Sequence, residues 1–559
     1  KKLFFYFFSL LLFLFFIFIF YEGWIFGSIY LYFFDKMMRS TSQNTQPTKT
    51  IDQLLDLIGF GKWQYFLIVV AGCALIGDAS EMMLLSMLGP IVHCYFDIND
   101  PELEALLTTV VFVGMSLGGV TFGAVADRFG RRYGLFATAC LCSIGGILSA
   151  IAPTFGLLVF FRFIVGVGLG GVAVAFTYVM EFIPNAQRGK VGTFIQGWWT
   201  VGTFIQVILA WSSFDSLGWR WVVGLSTLPI LVMVCLFFFL PESPRFLALQ
   251  EDKHHIIKAM FVKAAQSNGT SDKLPAEYQI KGSKDASKSK QSVLSTFKET
   301  FSVDFRRDTI LLLVIWFANA LTYYGLVLLT TELALMRQED LQSINSTSTS
   351  INNTLITPSS TNALQCGTIF DDQFFTEILI ATIAEMPGLL VCLALVDRLG
   401  RKNTQTLFFG IVTLTLFILA IIPRSVGGDT FVLFFARGSS IGAFSMTFLF
   451  TPERYPTRIR NTAMGMCFGF ARIGGMISPL ICQDLPQRGM LSVTFIIMII
   501  VAFVACIATS LLSTDTTGKE LDRPTNSRIN IDIGEGVAGS NANGDGFGRL
   551  ERTSTEESI

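Results

Sequence analysis

The stretch GAVADRFGRR occupies residues 123–132, directly after a long apolar run. It places one acid, Asp127, and three arginines, Arg128, Arg131 and Arg132, beside two glycines, Gly123 and Gly130. A shorter copy, VDRLGRK, stands at residues 396–402 and contains Asp397, Arg398, Gly400 and Arg401. Compact basic loops between oily segments are what a chain leaves on one side of a membrane that it crosses repeatedly.

The composition agrees. Hydrophobic residues make up 52% of the 559 and charged residues 15%, against about 25% charged in soluble domains. The mean hydropathy is +0.56. A net charge of −1 gives no reason to expect nucleic acid as a partner. Most of the ten cysteines lie in apolar runs without a C-x-x-C pattern, and the three histidines are scattered. Buried thiols are expected, with no metal site and no cofactor. The G-x-x-x-x-G-K-[ST] loop is absent, so no ATP site is expected. No nucleophile–base constellation suggests an enzyme.

A membrane helix needs about 20 mainly apolar residues, and inside the bilayer its backbone must bond internally. From Lys62 onward twelve such runs lie near 62–92, 105–126, 133–152, 154–180, 191–211, 220–240, 309–334, 373–396, 403–422, 430–451, 461–482 and 491–512. They are called spans 1 to 12 below. The Phe-rich segment 1–36 precedes the first methionines, Met37 and Met38. It reads as an extension upstream of the true start, with an extra span as the alternative. Residues 37–61 form a polar N-terminal segment, 62–244 and 308–512 two six-helix bundles, and 513–559 a disordered tail.

Two connections are long. Residues 245–307 hold twelve Lys or Arg against seven Asp or Glu and read as a flexible cytoplasmic linker. Residues 336–371 hold one Arg and no Lys, so they face outside or into a lumen. They carry sequons at Asn345 and Asn352, candidates for glycosylation. Both termini are then cytoplasmic.

The two bundles repeat. Asp127 and Asp397 are 270 positions apart, Arg162 and Arg437 275, Glu181 and Glu453 272, and Arg188 and Arg460 272. One nearly constant offset across four landmarks indicates a duplicated unit.

The repeated loop resembles the G-x-x-x-D-R-x-G-R-R/K motif of the major facilitator superfamily, found between helices 2 and 3 and again between helices 8 and 9. The second copy lacks the first Gly, with Ala394 or its neighbours there. The resemblance covers roughly residues 60–515. It implies an all-α membrane protein with twelve transmembrane helices in two pseudo-symmetric six-helix halves. GDASEMMLLSMLGP, WFANALTYYGLVLLTTEL, AEMPGLLV and TPERYPTRIRN are similar to an animal branch near the organic-ion and sugar porters, which implies a vesicle or plasma membrane. A monomer is expected in the lipid bilayer, with a small organic solute and protons as its partners.

In such a transporter the loop charges gate one face. Gly123 would permit close helix approach, and Asp127 would cap a helix of the other half. For Arg128 and Arg132 a positive-inside anchor without a gating role is the alternative. Glu181, Arg188, Glu453 and Arg460 fit the charge-relay positions that the resemblance implies. Gly166, Gly168 and Gly171 match G-x-G-x-x-G, but without a strand they read as helix-packing glycines.

Arg162 lies about two turns into span 4, where a charge costs at least about 2.5–3.5 kcal/mol. It needs a partner, and Asp78 and Glu81 of span 1 share one helical face. The resemblance to sugar porters implies a proton-linked pair in which ionised Asp78 meets Arg162. A fixed structural bridge is the alternative. Glu385 of span 8 and Arg472 of span 11 are expected to pair with each other or to meet a charged solute. Asn319, Tyr323 and Tyr324 precede Gly325 in span 7, where a ring could stack and the helix could unwind. Trp198 and Trp199 either line a cavity or face lipid. The expected function is secondary active transport by alternating access. A docking or sensing protein that no longer transports is the alternative.

Overall fold

The computed structural model describes residues 48–96, 98, 100–275, 278–280, 293–350, 370–396, 398–422, 426–455 and 457–513. The Phe-rich segment, Asp397, Asn352 and the tail beyond 513 lie outside the described residues.

Among the described residues eleven helices are long and apolar enough to cross a membrane. The twelfth crossing, span 5, is the helix Arg188–Leu217, whose Arg, Lys, Gln and Ser residues make it less apolar. Spans 1 to 3 are Lys62–Phe96, Pro101–Phe129 and Arg131–Ala150. Span 4 is broken after Gly170 into Phe155–Gly170 and Ala173–Met180, and span 6 runs over Trp219–Phe239. In the second half, span 7 is Arg306–Ser350, span 8 is Asp372–Ile383 followed by Glu385–Val396, and span 9 is Arg401–Ile421. Spans 10 to 12 are Val426–Arg454, Thr457–Pro479 and Leu491–Ser510. Consecutive crossings give the bundle two faces. The linker face carries the helix His254–Asn268, and the far face carries the ends of spans 1 and 9 and the starts of spans 2 and 10.

Small residues let the helices of each half meet backbone to backbone, as membrane helices must without a hydrophobic drive between them. A Cβ on Gly118 of span 2 would lie 1.9 Å from the Val167 carbonyl oxygen of span 4. One on Gly388 of span 8 would lie 2.1 Å from the Gly438 carbonyl oxygen of span 10, at the equivalent crossing. Gly166, Gly168 and Gly171 abut Val111, Cys142 and Thr138, so the G-x-G-x-x-G run is a packing surface. Gly123 departs from expectation, because a Cβ there would meet nothing within 4 Å.

Three further expectations change. Span 7 is one continuous helix of 45 residues, so Gly325 does not unwind it. Its Cβ position is filled by Cys482 and Met498. The same helix takes in the first part of the expected 336–371 loop, including Asn345. The linker is also partly ordered, with helices His254–Asn268 and Val293–Thr300. The first packs Ile257, Phe261 and Ala264 against Leu54, Leu55 and Ile58 of an N-terminal helix, Ile51–Ile58. Average composition hid this amphipathic pair. A two-residue parallel ladder, Thr48–Lys49 with Gln279–Ile280, ties the same segments together.

Candidate functional site at the seam of the two halves

Charges are costly in a bilayer, so each buried one reports a constraint. Arg162 is fully buried and its Nη1 lies 2.6 Å from Glu81 Oε2. Its Nε donates to Ser149 at 2.9 Å, and Ser226 donates to Glu81 at 2.9 Å. Of the two candidate acids the partner is Glu81, and the pair expected at Asp78 is not formed. Arg437 answers Arg162 in the second half, with its Nη2 2.6 Å from Glu385 Oε1. Its acid comes from span 8, whereas that of Arg162 comes from span 1. The arginines follow the duplication and their partners do not. Glu385 is thus committed to Arg437 and not to Arg472.

Glu385 also reaches the other half. Tyr323 donates to its Oε1 at 3.2 Å, Thr203 of span 5 donates to its Oε2 at 3.3 Å, and Trp199 donates to the Tyr323 hydroxyl at 2.5 Å. This chain crosses the seam at mid-membrane depth. Trp198 packs on Gly72 of span 1 and so faces protein. Asn319 donates to Thr447 at 2.8 Å, inside its own half.

Asp78 and Arg472 form a different kind of pair. Asp78 is 5% exposed, and its Oδ1 has no hydrogen-bond partner. Arg472, on span 11 of the opposite half, acts on it electrostatically without a salt bridge. Arg472 is half-buried, donates to Met115 Sδ at 3.4 Å and acts electrostatically on the Tyr324 hydroxyl. The Tyr324 ring sits 4.9 Å from Phe112 of span 2. Asp78, Arg472, Tyr324 and Phe112 therefore converge from four spans and both halves.

On the far face the halves are clasped. Arg488 meets Glu102 at 2.7 Å, Trp211 donates to Asp372 at 2.8 Å, and Phe214 lies against Phe370 with ring centres 4.9 Å apart. A buried triad within the second half supports this end. Arg337 lies 2.6 Å from Glu377 and 3.2 Å from Asp429. The sequence reading missed the triad because each member closes an apolar run and resembles an ordinary helix end.

On the linker face the motif charges pair within their own halves. Arg131 lies 2.6 Å from Asp127 and 3.4 Å from Glu181. Asp127 is exposed and paired with Arg131 at the start of span 3, in its own half, so it does not cap a helix of the other half. Arg401 lies 2.7 Å from Glu453, the equivalent of Arg131 with Glu181. Arg188 Nε donates to the Ile183 carbonyl, and Arg460 Nε to that of Tyr455, the same five-residue return in each half. Gly130 (φ 114°) and Gly400 (φ 81°) make the turns in conformations that suit glycine. Arg128 and Arg398 are exposed. Burial pushes the Glu242 carboxyl up from its ordinary value, although the Ser243 and Arg132 backbone N–H groups donate to it. Asp52 escaped the sequence reading. It holds Arg188 at 2.8 Å and Arg245 at 2.6 Å. Its place at N2 of a capped helix, Thr50 with Gln53, was the available signal.

The profile "Sugar (and other) transporter" matches residues 83–334. Synaptic vesicle 2-related protein of Bos taurus is 35% identical over 92% of this chain and 88% of its own length. The chain belongs to the major facilitator superfamily, among the relatives of synaptic vesicle 2-related protein. Organic cation/carnitine transporter 7 of Arabidopsis thaliana is 33% identical, over 84% of this chain and 95% of its own. The xylose transporter XylE from E. coli, in a partially occluded inward open conformation, superposes with a TM-score of 0.60. That match has 15% identity and covers 82% of this chain and 100% of the other. This major facilitator is a multi-pass membrane transporter.

Proposed function

We propose that this protein is a proton-coupled secondary transporter that moves a small organic solute by alternating access. One observation carries the reading: Asp78 is buried on span 1 with an oxygen that has no donor, facing Arg472 of the opposite half. Glu81 and Glu385 are pinned in tight pairs, so of these three acids Asp78 is the one with freedom to change charge.

A proton on Asp78 removes its attraction to Arg472, and loss of the proton restores it. The attraction acts between halves, so it biases which face of the seam opens. The pairs Arg162–Glu81 and Arg437–Glu385 keep each half rigid while this happens. The linker face is cytoplasmic, and the loop pairs Arg131–Glu181 and Arg401–Glu453 reorganise as it closes. Far-face contacts such as Arg488–Glu102 open when the cycle turns. Relatives named for synaptic vesicles support a vesicle membrane.

The test is a broad solute screen in proteoliposomes under an imposed pH gradient, wild type beside Asp78→Asn. Wild type is expected to accumulate a solute with the gradient, and Asp78→Asn to lose the gradient dependence. Normal pH-driven uptake by Asp78→Asn rejects the coupling assignment. Uptake of nothing by either protein favours a docking or sensing role.

A further inference from the structure

We infer that Glu104 and Glu332 form a second proton site, on the far face, and that the far side of the seam closes only while this pair holds one proton. This adds a second proton to the one that the transport reading places on Asp78.

Glu104 lies one turn into span 2 and Glu332 toward the far end of span 7, in opposite halves. Each is 2% exposed. Between them stands the amide of Gln487. Its Nε2 donates to Glu332, 3.3 Å from Oε1 and 3.4 Å from Oε2, and the same side chain acts electrostatically on Glu104. Glu104 Oε1 has no hydrogen-bond partner. It presses on span 1, where a Cβ on Gly89 would lie 2.5 Å away.

One amide does not neutralise two carboxylates. With both ionised, closing the seam brings two like charges together out of water. One proton removes that repulsion and turns Glu104 into a donor. The arginines of this face are already shared. Arg488 lies between Glu102 and Asp484, and Arg337 between Glu377 and Asp429, so each group carries a surplus of one negative charge. Cys482 lies beside Glu332 as a buried thiol. Span 1 adds His93, one turn beyond Gly89, and Asp100 caps span 2. A proton also needs no coordination sphere. Among the described residues no three His, Cys, Asp or Glu side chains gather to hold a metal ion.

Exposure ranks the contacts that hold this face shut. The Arg488–Glu102 bridge is 36% and 68% exposed, so it contributes little in water. Glu104 and Glu332 are buried, so their charge state weighs more. Gln487 follows a π-helical turn in span 11, Leu480–Asp484, and such turns recur at functional points of helices. Gln483 on that turn is fully buried with neither amide atom hydrogen-bonded, so its side chain does not lock the turn in place.

The test reads the far face directly, by double electron–electron resonance between spin labels at Leu103 and Met490, exposed positions on opposite halves. The labels are carried on non-natural residues, which spares the native cysteines, and the full chain sits in lipid nanodiscs. All variants are made in an Asp78→Asn background, so that the coupling proton does not contribute. The ratio of closed to open distances is expected to fall as pH rises, by up to about tenfold per pH unit, the limit for one proton. Glu104→Gln and Glu332→Gln are neutral at every pH, and each is expected to hold the closed state and flatten the slope. His93→Gln is expected to keep the slope. Monodispersity in detergent confirms folding, and either glutamate variant suffices for the test. A slope that survives the glutamate substitutions, or that disappears with His93→Gln, overturns the site. A ratio that does not respond to pH in Asp78→Asn also overturns it, and leaves proton coupling at Asp78 standing. The readout is conformation and not uptake, so a solute screen that finds nothing rejects the transport reading without touching this one.

Discussion

The indole of Trp199 donates to the hydroxyl of Tyr323 at 2.5 Å, joining span 5 of one half to span 7 of the other. Tyr323 passes its own proton toward Glu385 at 3.2 Å, and Glu385 is held by Arg437 at 2.6 Å. A single phenol hydroxyl therefore connects the seam to a buried ion pair.

Tyr323→Phe leaves the Trp199 N–H and one Glu385 lone pair each short of a partner. The cost should be about 1–3 kcal/mol, seen as a lower Tm in detergent. Trp199→Phe should cost a similar amount. The double variant should cost less than the two together, because both singles break one chain.

Glu81→Gln should be far more damaging than Asp78→Asn. Removing Glu81 leaves the Arg162 charge buried with Ser149 as its remaining partner, a loss of about 3–5 kcal/mol. Asp78 has no ion pair to lose, so Asp78→Asn should keep a Tm close to wild type. Equal Tm losses for the two variants would contradict the assigned pairing.

The glycines give a contrast in direction. Gly118→Ala forces a methyl onto the Val167 carbonyl oxygen, 1.9 Å away, and overpacking of this kind costs about 1–3 kcal/mol. Gly123→Ala meets open space. It should be neutral or should gain about 0.5–1 kcal/mol from helix propensity. Thermal unfolding of the two variants, followed side by side, checks both.

Glu242 predicts a pH dependence on the linker face. Burial raises its carboxyl above the ordinary range against two backbone donors. The folded state therefore binds the proton more tightly than the unfolded chain. The resulting stability is complete below the ordinary carboxylate value and is lost as pH rises through the folded one. Glu242→Gln keeps the acceptor oxygen and should flatten that decline in a plot of Tm against pH. An unchanged slope would assign the pH dependence to another group.

Much of this protein was determined by the sequence alone. Apolar runs of membrane length must be helices, because a bilayer offers their backbone no other partner. A repeated loop at a constant offset must mean two related halves, and an arginine inside such a run must have a counter-charge. Tertiary structure decided which counter-charge. Asp78 and Glu81 lie three residues apart, which rotates one from the other by about 60° around the helix axis. That is enough for Glu81 to meet Arg162 while Asp78 turns to the seam. Span 1 packs closely on span 5 at this level, where a Cβ on Gly202 would lie 2.4 Å from the Ile76 carbonyl oxygen. Glu385 likewise meets Arg437 and not Arg472, where spans 8 and 10 pack closely at Gly388 and Gly438.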